Sequence, residues 1–340
     1  MFAAAGIDRS WADLGKPTSF AIVGLGGAGS EAVRDLLGLE IPGVRPLAIN
    51  TDAGHLERMP IDRRILIGHR TFRGRGSGGD REAVLRSLEE SREEILRQLR
   101  SYEVVFLLAA LGGGTGSALL PYLVRELRES DAFPVPVGFL PFQVEVASNA
   151  GRRDSVRAAL RELEGMGGLL LLLANEKLRR FESLPIHRAL AVRNAYLHDL
   201  VTSLVDMIEN PSQLNVDLAT VRRHLSGSGM ATLFRGEVHV SEVERLVPQA
   251  LRESLLDFEL GAKPRALVHI EGGSNLTLGT LDRLLMSARH HLHEPDELLL
   301  GTRIRPDSRE LVRLVGVVSG IEVASTHRLL DDGPRPVPAR

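Results

Sequence analysis

The feature that most constrains this chain is the run Leu-Gly-Gly-Gly-Thr-Gly-Ser at residues 111–117. It follows the apolar stretch 104–111 and precedes a segment in which apolar residues have helical spacing. Glycines between a strand and a helix let several backbone N–H groups converge on one anion, and the helix dipole favours the same position. The pattern therefore predicts an α/β fold with a phosphate-binding loop formed by Gly112, Gly113, Gly114, Thr115, Gly116 and Ser117.

A second glycine turn, Gly24–Ser30, follows the strand-like residues 20–23. Its glycines fit the G-x-G-x-x-G dinucleotide fingerprint, and Asp52 lies about 20 residues further on, where that fingerprint has an acid. A nicotinamide-dependent oxidoreductase on a Rossmann fold is therefore one alternative. That alternative leaves the more glycine-rich loop at 111–117 without a role.

The positions of the lysines exclude a P-loop nucleotide site. The P-loop motif requires a lysine directly after its glycines. The chain has lysine only at Lys16, Lys177 and Lys263, none of which adjoins a glycine loop. Backbone amides must therefore make most of the phosphate contacts.

The glycine loops and their neighbours resemble the tubulin and FtsZ superfamily, whose signature is a Gly-Gly-Gly-Thr-Gly-Ser/Thr loop. Asn-Thr-Asp-Ala at 50–53 and the glycine-rich segment Arg73–Gly79 are similar to FtsZ segments around the nucleotide. The resemblance implies GTP or GDP as ligand, with Mg²⁺ held through the phosphates rather than by the protein. Besides the signature loop, it implies nucleotide contacts from Gly26, Gly27, Ala28, Gly29, Ser30, Asn50, Asp52, Gly76, Ser77 and Gly78.

Three further polar residues are implied at the ribose and base. Glu145 ends a Pro-Phe-Gln-Val-Glu segment similar to an FtsZ stretch whose glutamate contacts the ribose, and Asn175 begins a segment similar to a base-facing loop. Asn is also common in turns after strands, so a structural role for Asn175 stays open. Asn194 lies on an otherwise apolar helical face, where it either faces guanine or bonds nearby backbone. FtsZ usually places a guanine-pairing aspartate next, and Ala195 stands there.

The segment Asn215–Ala219 resembles the FtsZ synergy loop, which a neighbouring subunit inserts against the γ-phosphate. The resemblance implies head-to-tail filaments, with Asn215 and Asp217 completing hydrolysis in trans. Thr220 stands where FtsZ usually has a second acid, which predicts slow hydrolysis because a hydroxyl cannot take a proton from water near neutral pH. Thr220 could also cap a helix that begins near Val221. A nucleotide-binding scaffold with negligible hydrolysis is a further alternative.

The pattern of elements predicts a parallel-sheet GTPase domain joined by a long central helix to a smaller α+β domain. One helix is predicted over 80–100 behind an Asp80 N-cap, and another over 187–209, ended by Asn210 and Pro211. The predicted units are an N-terminal extension, a nucleotide-binding domain, the central helix with the synergy loop, a C-terminal domain and a disordered tail, at 1–16, 17–186, 187–221, 222–325 and 326–340.

Composition predicts a cytoplasmic protein with no nucleic-acid partner and no integral membrane segment. The formal net charge is −2, and the absence of cysteine excludes disulfides and thiolate metal sites. The apolar run 169–174 is far shorter than the about 20 residues of a membrane helix. His290, His291 and His293 are too crowded to surround a metal ion. The tail does not resemble the FtsZ peptide that docks membrane adaptors, so the resemblance does not extend to that partner.

Overall fold

A single ten-stranded sheet runs through the protein, whose computed structural model describes residues 17–38, 41–210, 216–308 and 310–323. The order across the sheet is β3-β2-β1-β4-β5-β6-β7-β10-β8-β9, and neighbours are parallel except that β10 is antiparallel to β7 and β8. The strands are β1 (Phe20–Leu25), β2 (Val44–Asn50), β3 (Arg63–Leu66), β4 (Val104–Ala110), β5 (Phe133–Leu140), β6 (Leu170–Ala174), β7 (Met230–His239), β8 (Glu259–Gly272), β9 (Glu297–Ile304) and β10 (Leu311–Glu322).

Helices cover both faces of this sheet and form a buried apolar layer on each. The central strands are apolar on both faces, as expected for a parallel sheet between helices. The helices are α1 (Gly26–Leu37), α2 (Ala53–Glu57), α3 (His69–Phe72), α4 (Arg81–Ser87), α5 (Arg92–Leu99), α6 (Gly114–Arg128), α7 (Gln143–Ala147), α8 (Ala150–Gly165), α9 (Ile186–Glu209), α10 (Leu218–Leu225), α11 (Val243–Arg252) and α12 (Leu278–His291).

The strand order explains why the two glycine loops meet. The first six strands are parallel and have the order 3-2-1-4-5-6, so the direction in which successive strands are added to the sheet reverses between β1 and β4. Ligands of such sheets bind outside the carboxyl ends of the strands at this switch point. The loop after β1 and the loop after β4 are the two predicted phosphate loops.

The α/β fold and the long central helix predicted from the sequence are confirmed. Helix α9 extends from Ile186 to Glu209, and Asp80 caps a helix by accepting from the N–H of Ala83 at 2.8 Å. The single helix predicted over 80–100 is wrong, because it is divided into α4 and α5 by a 3₁₀ turn at Leu88–Glu90. At this break the hydroxyl of Ser87 donates to the carbonyl of Val84, a bond that bends helices.

Strand β5 contains two prolines, Pro134 and Pro136, although it lies inside the sheet. Its pairing with β4 begins at Phe133, whereas its pairing with β6 begins only at Val137, opposite Leu171. In this register Pro136 lies opposite Leu170, the first residue of β6, and Pro134 lies beyond the start of β6.

Some predictions lie outside the described residues, namely those for the segment 1–16, for Asn215 and for the tail 326–340. Within the described part of the chain, no helix is long and apolar enough to cross a membrane.

Candidate nucleotide site

Two helix N-termini converge at the switch point. Helix α1 begins at Gly26 and helix α6 at Gly114, and a Cβ on Gly26 would lie only 3.2 Å from the backbone nitrogen of Gly116. The N-cap residues, Leu25 and Gly113, offer no side-chain acceptor to the helices they precede. The first N–H groups of both helices are thus left for another acceptor, which is the arrangement that binds phosphate.

The glycines of these loops serve two different purposes. Gly26 and Gly112 have φ angles of +72° and +108°, which side-chain-bearing residues rarely adopt. Gly29 allows close packing, because a Cβ there would lie 2.2 Å from the carbonyl oxygen of Leu108. Gly113 has no atom within 4 Å of the position a Cβ would take. Gly113 therefore borders open space at the mouth of the loop.

Thr115 joins three of the predicted phosphate-binding segments. Its hydroxyl lies 3.0 Å from that of Thr51 and 3.4 Å from that of Ser77. The third glycine loop is held to the end of β2 by backbone bonds, among them Gly76 N–H to the Thr51 carbonyl at 3.1 Å. The N–H of Gly112 donates to the hydroxyl of Ser117 at 2.8 Å, which fixes the signature loop from within.

Asn50 and Asp52 hold the turn that follows β2. The Asn50 amide oxygen accepts from the N–H of Thr51 at 2.8 Å, and the Asp52 carboxylate caps α2 by accepting from the N–H of His55 at 2.9 Å. These side chains shape the site through the backbone. Contact of either with a nucleotide stays a prediction.

His55 is a candidate site residue that sequence reasoning missed. Both ring nitrogens are buried without a hydrogen-bond partner among the described residues. Its Nε2 lies 3.6 Å from the position of a Cβ on Gly27, and also 3.6 Å from a carboxylate oxygen of Glu31. The sequence feature that could have identified His55 is its position three residues after Asp52, on the turn predicted to contact the nucleotide.

Asn175 and Asn194 are brought together by Arg193, a second residue that sequence reasoning missed. The Arg193 guanidinium donates to the amide oxygen of Asn175 at 3.2 Å and to that of Asn194 at 3.1 and 3.3 Å. The Asn194 nitrogen donates to Asp35 at 2.8 Å. Arg193 lies 4.2 Å above the ring of Phe139, and burial lowers its pKa to about 10, so the guanidinium stays charged at neutral pH. Among the described residues, the hydrogen-bond partners of the Asn194 side chain are therefore other side chains and not nearby backbone.

Glu145 lies in the short helix α7, which follows β5 and is tied to the 3₁₀ helix that follows β6. Its carboxylate accepts from the N–H of Phe142 at 3.0 Å and pairs with Arg152. Glu176, which follows Asn175, accepts from the N–H of Gln143 at 2.9 Å. The segments predicted to meet the ribose and the base therefore form one rim.

Asp217 lies at the opposite edge of the sheet from the glycine loops. The carboxyl end of α9 contacts the start of β1, where the N–H of Thr18 donates to Glu209 at 2.6 Å. Helix α10 contacts the residues before β5 through Arg222, which donates to the carbonyl of Asp131 at 2.9 Å. Both contacts are at the amino ends of strands. The structure thus separates Asp217 from the residues of its own glycine loops.

Asp217, and not Thr220, caps helix α10. Its carboxylate accepts from the N–H of Thr220 at 2.7 Å, and the helix begins at Leu218. The expectation that Thr220 caps a helix beginning near Val221 is therefore wrong, because the preceding acid takes the capping position. The hydrogen bonds from Thr220 lower the pKa of Asp217, so its carboxylate is charged at neutral pH.

Comparison with known proteins supports the resemblance seen in the motifs. The model of the Tubulin/FtsZ family GTPase domain matches residues 19–183, and that of the FtsZ family C-terminal domain matches residues 229–322. The cell division protein FtsZ of Methanothermobacter thermautotrophicus is 30% identical over 302 residues, which are 88% of this chain and 78% of that protein.

Solved structures of FtsZ have the same fold. A mutant FtsZ of M. jannaschii superposes with a TM-score of 0.80 at 29% identity, covering 94% of this chain and 98% of that one. An empty FtsZ dimer of M. jannaschii gives a TM-score of 0.77 at 28% identity, covering 93% of each chain. Since both domain models match in order and an FtsZ relative is 30% identical over most of both chains, this protein belongs to the Tubulin/FtsZ family.

Proposed function

We propose that this protein binds GTP and GDP at the joined glycine loops and assembles head to tail into filaments. The observation that carries the proposal is the position of Asp217 at the edge of the sheet opposite those loops. A nucleotide on one subunit would then meet Asp217 only on a second subunit. Such a contact joins two different surfaces and does not close on itself, so it generates a linear polymer.

The phosphate chain would be held by the free N–H groups at the starts of α1 and α6. Thr115, Thr51 and Ser77 add hydroxyl groups between the loops, and His55 places a ring nitrogen beside Gly27 where it can donate to a phosphate oxygen. No lysine is needed in this arrangement. Mg²⁺, which retains most of its water ligands, would be bound mainly through the phosphate oxygens.

Hydrolysis would depend on Asp217 of the adjacent subunit, whose ionised carboxylate can orient the attacking water. Thr220 offers only a hydroxyl, so we propose slow turnover. A scaffold that binds nucleotide and scarcely hydrolyses it is the second candidate, and the neutral side chain of Thr220 favours it.

The M. jannaschii FtsZ dimer gives further support to self-association, because it matches this chain along most of its length. The relatives named cell division proteins suggest a role in division for the filaments, acting in the cytoplasm.

Assembly is best tested with paired variants of Asp217. Sedimentation and negative-stain imaging should show polymers of the wild type with GTP or a slowly hydrolysed analogue, and fewer with GDP. Asp217→Arg should block growth, because it places a cation and a longer side chain in the subunit contact. Asp217→Asn preserves the helix cap, since Asn caps as well as Asp; it should assemble but release little phosphate.

Circular dichroism of both variants would confirm that they fold. Wild-type protein that remains monomeric with GTP over a wide range of protein and salt concentrations would overturn the filament proposal. Assembly by Asp217→Arg equal to that of the wild type would show that Asp217 lies outside the subunit contact.

A further inference from the structure

Three titratable side chains meet where the carboxyl end of the central helix packs on the C-terminal strands. Asp206 lies on α9, and His269 and Glu271 lie on β8. The two strand residues are two positions apart, so they project from the same face of the sheet. One nitrogen or carboxylate oxygen from each of the three residues lies within 4.8 Å of the other two. One helix and one strand thus direct a histidine nitrogen and two carboxylate oxygens to a common position.

Close packing of α9 brings Asp206 to this position. Gly301 of β9 lies opposite His269 of β8, and a Cβ on Gly301 would lie 2.7 Å from the Cγ of Met207. The missing side chain lets the helix lie directly against the strands beside His269. The side-chain nitrogen of Asn210 donates to Oδ1 of Asp206 at 2.8 Å, which fixes the carboxylate.

His269 has a ring nitrogen that the protein leaves without a hydrogen bond. The residue is 1% exposed, and its Nδ1 has no partner among the described residues. A carboxylate oxygen of Glu271 lies 3.8 Å from Nδ1, which is too far for a hydrogen bond. A proton on Nδ1 would need an acceptor, and a lone pair would need a donor or a metal ion. A cation between His269 and the two carboxylates would satisfy this nitrogen.

The guanidinium of Arg305 balances the two carboxylates in the structure. Its Nη2 lies 2.8 Å from Oδ2 of Asp206 and 3.0 Å from Oε1 of Glu271, and its Nε lies 3.0 Å from Oε2 of Glu271. The side chain is 45% exposed and borders a cavity of about 900 Å³, which Asp206 and Glu271 also line. Arg305 can therefore turn into the cavity, and a hydrated ion can enter from there.

We propose that Asp206, His269 and Glu271 bind a divalent transition metal ion, with zinc as the best fit, in exchange for Arg305. Imidazole nitrogen and carboxylate oxygen are ordinary zinc ligands, at bond lengths of about 2.0–2.2 Å. Mg²⁺ and Ca²⁺ favour oxygen ligands throughout, so the histidine selects against them. The two carboxylates neutralise the ion, and the fourth position of a tetrahedral site faces the cavity, where water can fill it.

An ion in this position would tie the central helix to the C-terminal domain. A ligand that binds only the folded protein raises its stability. The affinity would also depend on Arg305, which is not a ligand but competes with the ion for Asp206 and Glu271. This dependence distinguishes the proposed site from zinc bound by surface histidines.

The test uses the full chain, freed of metal and nucleotide and titrated with zinc against a competing chromogenic chelator. It should bind one ion with a Kd of about 1 μM or tighter. At a hundredfold excess of zinc over Kd, the melting temperature should rise by about 3–4 °C, and Mg²⁺ at the same concentration should not raise it. Co²⁺ in place of zinc should show the visible absorption bands of a four- or five-coordinate ion.

Variants of the ligands and of the competing arginine should change the affinity in opposite directions. Asp206→Asn and Glu271→Gln keep the size of the side chains, and each should weaken zinc binding by at least about tenfold. Arg305→Ala should be less stable without metal and should bind zinc at least about tenfold more tightly, because the competing cation is gone. The matched control is the double variant His290→Asn and His291→Asn, which removes two exposed histidines of α12 and should bind zinc like the wild type.

Four results would contradict the proposed site. They are a wild-type melting temperature that zinc leaves unchanged, or equal zinc affinity of the wild type and Asp206→Asn. Loss of binding in the double histidine variant would place the ion at the end of α12. Unchanged affinity of Arg305→Ala would show that the ion does not replace the guanidinium. Circular dichroism checks that each variant folds, and if Arg305→Ala does not, Asp206→Asn and Glu271→Gln still decide the question.

Discussion

The carboxylate of Asp217 accepts from the backbone N–H of Thr220 at 2.7 Å, which makes Thr220 the third residue of the helix that Asp217 caps. An acid is favourable in the first turn of a helix, so Thr220→Asp should fold normally. It should raise GTP-dependent phosphate release by about tenfold or more, because positioned acid–base groups contribute about 10²–10⁴ in rate. Thr220→Asn, equal in size to Asp and uncharged, is the control. Equal turnover by the two variants would contradict water activation at this position.

Two glycines of the site should respond in opposite ways to alanine. Gly29→Ala should destabilise the protein strongly, since its Cβ would meet the carbonyl oxygen of Leu108 at 2.2 Å. Gly113→Ala should change the free energy of unfolding by less than about 0.5 kcal/mol, because the space beside it is open and its φ of −88° suits alanine.

Gly113→Ala should nevertheless weaken nucleotide binding, because its added methyl group would lie at the mouth of the predicted phosphate loop. Thermal denaturation and a GDP titration of both variants provide the measurements. Undiminished GDP affinity of Gly113→Ala would place the phosphates elsewhere.

Asp199 links the central helix to the C-terminal strands. It is 2% exposed and pairs with Arg313 and with Arg235, the latter at 2.9 Å. Asp199→Ala should cost about 2–3 kcal/mol of unfolding free energy, less than the about 3–5 kcal/mol of fully buried pairs, because both arginines retain contact with water. Asp199→Asn should cost less than Asp199→Ala. Urea denaturation of the wild type and the two variants provides the measurement. Equal free energies of unfolding for the three proteins would show that Asp199 does not stabilise the contact between the central helix and the C-terminal strands.

Acid should destabilise the protein in two separate ranges. Burial lowers the pKa of His224 and His269, so the unfolded chain binds protons that the folded protein does not, and stability decreases as the pH falls below about 6.5. Burial alone would raise the pKa of Asp199, but His198 and the two arginines outweigh it and the pKa is lowered. The stability from Asp199 is therefore present above its unfolded pKa of 3.8 and is lost below that value.

Denaturation curves at pH 7.5, 5.5 and 3.5 would separate these ranges. His269→Asn should reduce the loss between pH 7.5 and 5.5, and should leave the lower range unchanged. A free energy of unfolding that is constant between pH 7.5 and 5.5 would contradict neutral buried histidines.

The two glycine loops could be predicted from the sequence because their conformation is set locally. Gly26 and Gly112 are required by backbone angles, and the apolar runs before them predict parallel strands, so neighbouring residues carry the whole signal. Helix α9 was predicted for the same reason, since its apolar spacing continues for many turns and Asn210 ends it. Strand β7 has no such signal: Arg235 and Gly236 interrupt its apolar residues.

The partners of Asn175 and Asn194, the two amides predicted to face the base, could not be predicted, because they come from distant parts of the chain. Asp35 and Asn194 are separated by 159 residues. Arg193 adjoins Asn194 in sequence, yet its burial depends on the ring of Phe139 from another strand. A lone arginine on a helix normally extends into water, so only the folded structure shows that Arg193 is buried against Phe139 and the two amides.

Pro134 and Pro136 limit the hydrogen bonds that β5 can donate on one side. Alternate residues of a strand direct their N–H groups to opposite neighbours, and the N–H of Phe133 donates to the carbonyl of Glu103 just before β4, so positions 134 and 136 face the side of β6. Proline has no N–H, so neither position can donate to a strand on that side. The assigned β5–β6 pairing accordingly begins only at Val137, opposite Leu171. At this end β5 offers only carbonyl groups towards β6, and a strand that needs donors from β5 cannot pair there.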